Sequence, residues 1–174
     1  MKKMRHKHII KIYEIIDDPT SKKVYIIMKL CQGGTLAQKL STKEKGTGLD
    51  EETVKEYFRS LLSAVHYCLK VWDLAHRDIK PENIMLDDKG KVFLTDFGCS
   101  EFFDSNHNED LTKATKGTYL FMAPEMFEGN KEKKIVRGPP IDIWAAGVTL
   151  FNLLTNRHPW EGNNVYQLAS KVKS

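Results

Sequence analysis

Two different periods of hydrophobic and polar residues alternate along the 174-residue chain. Residues 9–16 and 24–28 are rich in β-branched and apolar side chains, which predicts two strands. Residues 17–20, Asp-Asp-Pro-Thr, have the composition of a turn. We therefore expect the two strands to pair as a hairpin with a long loop. Gly33-Gly34 then breaks the pattern, and the polar residues 41–48 predict a surface loop.

A helical period begins after Asp50, which we expect to cap a helix at its N-terminus. Apolar residues then recur at three- and four-residue steps and form one stripe: Val54, Phe58, Leu61, Leu62, Val65 and Leu69. Residues 141–154 are almost wholly apolar and predict a buried helix, with Pro139 and Pro140 tolerated at its start. Residues 163–173 predict a short amphipathic helix.

The part of the chain between these helices is predicted to hold short strands and one long loop. Residues 84–86 and 92–94 are apolar runs around the turn sequence at 87–90, which predicts a second hairpin. Residues 99–122 have a polar middle and predict a loop. A loop of this length favours a functional role.

Composition and charge exclude several classes of protein. The chain is 41% hydrophobic and 29% charged, so it is neither disordered nor embedded in a membrane. Its net charge of +4 gives no argument for a nucleic-acid partner. The basic residues 2–7 are either a basic patch or, more simply, the solvated face of a helix end. Widely spaced cysteines and the lack of a signal peptide indicate a soluble, cytoplasmic protein without a membrane partner.

Three short motifs carry the candidate chemistry: His76-Arg77-Asp78-Ile79-Lys80-Pro81-Glu82-Asn83, Asp96-Phe97-Gly98 and Ala123-Pro124-Glu125. Asp96 offers a carboxylate at a turn that Gly98 makes flexible, and Asn83 offers a neutral oxygen. Both are hard ligands of the kind that Mg²⁺ prefers. Lys80 would neutralise the charge that grows on a transferred phosphoryl group.

In their order and spacing, these motifs resemble those of the eukaryotic protein kinase family, over essentially the whole chain. The resemblance implies an α+β, kinase-like fold. Residues 1–30 would be a remnant of the small lobe and hinge, and residues 31–174 the large lobe without its last helices. ATP and Mg²⁺ are the implied cofactors, and proteins the implied substrates. Lys80-Pro81-Glu82-Asn83 and Gly117-Thr118 resemble the serine/threonine branch.

The resemblance implies a role for each motif residue. Asp78 would accept the proton of the substrate hydroxyl, while Asn83 and Asp96 would hold magnesium. The expected nucleotide contacts are the gatekeeper Met28, the backbone of Lys29, Leu30 and Cys31, and the side chains of Leu36 and Met85. The expected catalytic set is Asp78, Lys80, Asn83 and Asp96, and the expected structural or regulatory set is His76, Arg77, Phe97, Gly98, Thr112, Thr115, Thr118, Glu125 and Asp142.

Four members of the structural set have specific implied partners. Thr118 would contact Asp78 and Lys80, and Asp142 would accept hydrogen bonds from the backbone of the catalytic loop, which is the motif at residues 76–83. Arg77 would meet a phosphorylated or acidic residue of the activation segment. Glu125 pairs in the family with an arginine that lies beyond Ser174, so we expect it to lack its partner.

A closer resemblance is to the calcium/calmodulin-dependent protein kinase kinases. It rests on residues 15–19, on Phe121-Met122-Ala123-Pro124-Glu125 and on residues 135–138. Those enzymes phosphorylate the activation loops of other kinases, so downstream kinases are the implied substrates. Calmodulin is an implied partner, although no calmodulin-binding segment is visible in the chain.

The sequence has no counterpart of the family's glycine-rich loop, its β3 lysine or the glutamate of its αC helix. An alternative function is therefore a catalytically inactive kinase fold that acts as a binding or regulatory protein. A nucleotide-binding protein of another fold is disfavoured, because the chain has neither a G-x-x-x-x-G-K-[ST] motif nor a dinucleotide fingerprint.

We predict that the isolated 174-residue chain is poorly stable or prone to aggregation. The hairpin at residues 9–28 and the apolar residues 141–154 would expose hydrophobic surface. Size-exclusion chromatography followed by thermal unfolding checks this expectation. A soluble monomer with one sharp, cooperative transition would contradict it.

Overall fold

A computed structural model describes residues 2–18, 23–103, 111–113, 117–127 and 135–174. Within these residues, four helices and four two-stranded antiparallel sheets confirm the α+β prediction. The helices are α1 (Leu36–Ser41), α2 (Glu51–Val71), α3 (Gly138–Thr155) and α4 (Val165–Lys173). The paired strands are β1 (Ile12–Asp17) with β2 (Val24–Met28), β3 (Leu74–Ala75) with β6 (Glu101–Phe102), β4 (Ile84–Leu86) with β5 (Val92–Leu94), and β7 (Leu111–Lys113) with β8 (Ile135–Arg137).

Helix α2 begins as the sequence predicts. The carboxylate of Asp50 accepts the backbone N–H of Thr53 at 2.9 Å, which satisfies one of the unpaired donors of the first turn. Leu62 was wrongly assigned to the buried stripe, because it is turned about 100° from Leu61 around the helix and is 36% exposed. The buried face consists of Val54, Tyr57, Leu61, Ala64, Val65, Cys68 and Leu69.

Helix α3 packs against α2 and begins three residues before the predicted start, with its two prolines in the first turn. One face is buried and includes Ile141 and Asp142. The opposite face exposes Ile143, Phe151 and Leu154 by 54%, 40% and 39%. The prediction of a buried helix was therefore wrong for this face, whereas the expectation that residues 141–154 expose hydrophobic surface is confirmed there.

The first hairpin is shorter than predicted. Ile9 and Ile10 are buried, and they leave the hairpin to pair with Leu94: Ile9 forms a parallel bridge, and the N–H of Ile10 donates to the carbonyl of Leu94 at 2.9 Å. The predicted turn at residues 17–20 lies partly outside the described residues. Apolar side chains of both strands are exposed, as the sequence predicts.

The hairpin β4–β5 is flanked by chain on both sides. On the β4 side, the N–H of Gly33 donates to Leu86 O at 2.9 Å, and the N–H of Leu86 donates to Gly34 O at 2.8 Å. On the β5 side, the N–H of Leu94 donates to His8 O at 2.8 Å. The segments before β1 and after β2 are thereby both fixed to one hairpin.

The predicted loop at residues 99–122 is partly structured. Strand β6 pairs with β3, so Glu101 stands opposite Ala75, and β7 pairs with β8. Residues 104–110 and 114–116 lie outside the described residues. At the N-terminus, residues 2–3 and 7–8 form turns, so the predicted helix end is wrong there. None of the helices described is both long enough and apolar enough to cross a membrane.

Asn156 joins the end of α3 to the chain that follows α1. Its backbone is left-handed, with φ of 49°, a conformation that asparagine tolerates better than most residues. Its side-chain amide donates to the carbonyls of Leu40, Lys43 and Glu44 at 3.4, 3.3 and 3.1 Å. One side chain therefore closes the end of the helix and holds the predicted surface loop.

We predict that Asn156→Ala lowers the free energy of unfolding by about 1–2 kcal/mol, because it loses the amide contacts and strains the left-handed backbone. Asn156→Gly keeps the permitted backbone and loses only the contacts, so its loss should be smaller. Thermal unfolding compares both with Asn163→Ala, a control at an exposed position whose side chain has no hydrogen bond among those found for the described residues. Equal midpoints for Asn156→Ala and Asn163→Ala would contradict the prediction.

Candidate active site

A buried carboxylate holds the start of the catalytic loop. Asp142, in the first turns of α3, is fully buried and accepts the backbone N–H groups of His76 and Arg77 at 2.7 and 2.8 Å. Burial raises the pKa of Asp142 to about 6, and the two N–H donors and the charge of Arg77 act in the opposite direction. Arg77 has a φ of 69°, which is unfavourable for a long side chain. The two hydrogen bonds hold the backbone in this conformation.

His76 connects the catalytic loop to the Asp-Phe-Gly turn. Its ring is fully buried, and Nε2 lies 2.9 Å from the carbonyl oxygen of Thr95. Nδ1 accepts the N–H of Asp78 at 3.3 Å, so these partners assign the proton to Nε2. Burial lowers the pKa of His76, which keeps the ring neutral. The ring also meets Phe97 edge-on, with centroids 4.7 Å apart.

Three side chains converge on Asp78. Its Oδ2 lies 2.8 Å from Lys80 Nζ and 2.9 Å from Asn83 Nδ2, and its Oδ1 accepts the Thr118 hydroxyl at 2.9 Å. Lys80 Nζ also donates to Thr118 Oγ1 at 2.6 Å. Burial acts to raise the pKa of Asp78, but the hydrogen bonds from Lys80, Thr118 and Asn83 outweigh it, and the pKa is lowered. Asp78 is therefore a carboxylate at neutral pH, with a cation beside it.

Gly117 allows the chain that carries Thr118 to approach the catalytic loop closely. Its φ is 125°, and a Cβ at this position would lie 2.8 Å from the carbonyl oxygen of Arg77. A larger residue would push Thr118 away from Asp78. The Gly117-Thr118 pair is thus required by geometry as well as by hydrogen bonding.

Asn83 and Asp96 lie at the same, open end of the antiparallel β4–β5 hairpin: Asn83 directly precedes β4, Asp96 follows β5 by two residues, and Ile84 pairs with Leu94. Asp96 is exposed and left-handed, with φ of 55°, and its carboxylate accepts the N–H of Gly98 at 3.2 Å. Asn83 uses its amide nitrogen on Asp78, so Oδ1 is its available ligand atom. Among the described residues, no group of three or more His, Cys, Asp or Glu side chains is placed so that it could hold a metal ion. This pair fits Mg²⁺ that is held partly by phosphate oxygens.

An apolar cleft of about 360 Å³ separates the β1–β2 hairpin from the Asp-Phe-Gly turn. Its walls include Ile12, Ile26 and Met28 on one side and Asp96 and Phe97 on the other. The volume falls in the range of about 300–1,000 Å³ that is usual for small-molecule sites. A ligand in this cleft would have an apolar wall on one side and the Asp96 carboxylate on the other.

Of the residues expected to contact the nucleotide, only Met28 is among those that line the cleft. Met28 lines the cleft, Leu30 is 74% exposed, and Cys31 is buried in a small cluster against which Met85 packs. Leu36 has no exposed surface, so the prediction that it meets the nucleotide is wrong. The cause is the start of α1, where the side chain of Thr35 caps the helix and Leu36 is directed into the main core.

Arg77 contacts an acidic residue that the sequence analysis did not single out. Its guanidinium is almost fully buried and pairs with the carboxylate of Glu101. The sequence signal that could have indicated this contact is the short apolar run just before the catalytic loop. This run becomes β3 and pairs with β6, which carries Glu101. Thr112 lies in β7, where only the backbone is described, and Thr115 lies outside the described residues. Glu125 has an interaction partner, so the expectation that it lacks one was wrong.

A family model, "Protein kinase domain", matches residues 1–174, the whole chain. The chain belongs to the protein kinase family. It is 37% identical over 168 residues to "Carbon catabolite-derepressing protein kinase" of Secale cereale, covering 97% of this chain and 31% of that protein. It is 35% identical over 172 residues to "CBL-interacting serine/threonine-protein kinase 15" of Arabidopsis thaliana, covering 99% of this chain and 38% of that protein.

A third relative, "Serine/threonine-protein kinase ppk34" of Schizosaccharomyces pombe, is 32% identical over 176 residues, which cover 99% of this kinase chain and 47% of that protein. In these three relatives, the matched part is a third to a half of the protein. None of the three names is that of a calcium/calmodulin-dependent protein kinase kinase. The closer resemblance drawn from the sequence is therefore not supported by them.

We predict that the carboxyl of Asp142 titrates near pH 6, above its ordinary pKa of 3.8. Because burial disfavours the ionised form, its contribution to stability falls as pH rises from about 4 to about 6 and is constant above that. The free energy of unfolding relative to Asp142→Asn should fall over this interval by about 3 kcal/mol.

Carbon-detected NMR of the side-chain carboxyl gives the pKa of Asp142, and urea unfolding at several pH values gives the stability. Asp88→Asn, at an exposed turn position, is the control. A titration of Asp142 below pH 4, or a pH dependence that Asp142→Asn shares with the wild type, would overturn the assignment.

Proposed function

We propose that this chain carries the catalytic core of a serine/threonine protein kinase, which transfers the γ-phosphoryl group of ATP to a hydroxyl of a protein substrate. The observation that supports it most directly is the arrangement around Asp78. The carboxylate lies 2.8–2.9 Å from a lysine, an amide and a threonine hydroxyl, and the lysine lies 2.6 Å from that hydroxyl. This set can orient a hydroxyl and neutralise a phosphoryl group at one place.

Each residue of this arrangement has a chemical role in the proposal. Asp78 accepts a hydrogen bond from the substrate hydroxyl and receives its proton. Lys80, held between Asp78 and Thr118, places a positive charge where the transferred phosphoryl group gains negative charge. Asn83 is fixed by its donation to the carbonyl and carboxylate oxygens of Asp78 at 2.8 and 2.9 Å.

ATP is assigned to the cleft and Mg²⁺ to the open end of the β4–β5 hairpin. Magnesium bound by Asp96 and Asn83 would neutralise phosphate charge. The β1–β2 hairpin and Met28 supply an apolar wall, which suits a planar base. Asp96 is the residue that belongs to both places, since it also lines the cleft.

The choice of serine or threonine as acceptor is supported by Thr118. Its hydroxyl donates to Asp78 and accepts from Lys80, so it limits the space beside the proposed base. The names of the Arabidopsis and Schizosaccharomyces relatives include serine/threonine kinase. Four narrower expectations, namely kinase activation loops as substrates, calmodulin as a partner, a cytoplasmic location and the division of the chain into a small-lobe remnant and a large lobe, stay predictions.

We predict that Asp78→Asn reduces the rate of phosphoryl transfer by about 10²–10⁴-fold, because the amide cannot take up the proton. Binding of ATP should be retained, since Asp78 is not among the residues that line the cleft. The assay measures transfer of labelled phosphate from ATP to a mixed serine- and threonine-containing protein substrate.

Asp88→Asn makes the same chemical change at an exposed position and should transfer phosphate at the wild-type rate. Phosphoamino-acid analysis of the product identifies the acceptor. The proposal fails if Asp78→Asn retains the wild-type rate or if the product contains phosphotyrosine alone.

A further inference from the structure

The side chain of Lys29 reaches the β4–β5 hairpin. Lys29 directly follows β2, and its neighbour Met28 lines the apolar cleft. Lys29 Nζ lies 2.8 Å from Asp87 Oδ2 and 3.9 Å from the centre of the Phe93 ring. Its positive charge is therefore held by a carboxylate and an aromatic face together.

The carboxylate of Asp87 is oriented by backbone hydrogen bonds so that one of its oxygens faces Lys29. It is 8% exposed, and its Oδ1 accepts the backbone N–H groups of Lys89 and Lys91 at 3.1 and 3.0 Å. These bonds fix the turn of the β4–β5 hairpin and direct Oδ2 toward Lys29. The mutual hydrogen bond raises the pKa of Lys29 and lowers the pKa of Asp87, so both shifts describe one ionised pair.

The ion pair lies beside a small apolar cluster. Ile10, Cys31 and Phe93 are buried together, with Met85 packed against them. The backbone N–H of Lys29 donates to Lys11 O at 2.9 Å. Lys29 is thus fixed by its backbone to the start of β1 and by its side chain to β4–β5.

The contact of Lys29 with the β4–β5 hairpin is important because the same hairpin is joined to the two proposed magnesium ligands. Asn83 directly precedes β4, and Asp96 follows β5 by two residues. Residues 29–33, which we name the linking segment, run from β2 to the hydrogen bond between Gly33 N–H and Leu86 O. The linking segment and the two magnesium ligands are therefore attached to one short hairpin.

We propose that Lys29 is a positioning residue, which fixes the linking segment on the β4–β5 hairpin through Asp87 and Phe93 and so sets the affinity for ATP. The inference rests on the proposed function, because the linking segment is where the nucleotide base is expected. Lys29 acts through other groups, so its loss should weaken nucleotide binding more than it slows transfer.

An ordinary surface ion pair would have little effect, and this one differs in its surroundings. The carboxylate has three donors, and the ammonium group covers an aromatic ring. The pair of Lys55 and Glu52, 3.4 Å apart on the exposed face of α2, lacks both features. Lys55→Met is therefore the matched control for Lys29→Met.

Hydrogen exchange without nucleotide tests the anchoring step. Exchange in the linking segment should be at least about threefold faster in Lys29→Met and in Asp87→Asn than in the wild type. The double variant should exchange no faster than either single variant, because both remove one interaction. Lys29→Arg retains the charge and should restore most of the protection.

Steady-state kinetics test the second step. We expect KM for ATP to rise about three- to tenfold in Lys29→Met while kcat stays within about twofold of the wild type. Exchange equal to that of Lys55→Met overturns the proposal whatever the activity. Faster exchange with an unchanged KM overturns the link to ATP. If exchange is faster in Lys29→Met but the wild-type protein itself binds no ATP, the proposed function is contradicted and only the anchoring step is supported.

Discussion

Two hydrogen bonds from the backbone of His76 and Arg77 to the carboxylate of Asp142 join helix α3 to the catalytic loop. They hold Arg77 in a left-handed conformation, and the chain can then direct Asp78 toward Lys80 and Thr118 while the ring of His76 stays buried. Removing these two buried donors would leave an uncompensated charge on Asp142 in the core. The rest of the site is built outward from this contact, since Asp78, Lys80 and Asn83 follow it within one short loop.

The second constraint is the β4–β5 hairpin, which is small but has neighbours on both edges. Residues 33–34 pair with β4, and residues 8–10 pair with β5. Every segment that meets the cleft is attached to this hairpin or follows it directly. The hairpin can therefore keep the proposed metal ligands and the apolar cleft in register, although each sheet in the described part of the chain has only two strands.

The sequence predicted the parts of this structure that depend on local chemistry. The Asp50 cap, the strands of β4–β5 and the presence and end of the last helix follow from side-chain type and spacing alone, although that helix begins two residues after its predicted start. It did not predict the exposure of Leu62, the burial of Leu36 or the pairing of Glu101 with Arg77. Burial and pairing at these positions are set by tertiary neighbours. The observed start of β1 differs from the predicted start for the same reason. Ile9 and Ile10 have strand-like composition but pair with Leu94 and not with β2.

The network around Asp78 has a consequence for the timing of proton transfer. A carboxylate that is already stabilised by Lys80, Thr118 and Asn83 holds a proton weakly, and an alcohol is a far weaker acid than any carboxyl group. Such a base cannot generate a free alkoxide before the reaction begins. The proton would move only after the bond to phosphorus has largely formed and the oxygen has become acidic, so Asp78 would act first as a guide for the hydroxyl and last as its proton acceptor.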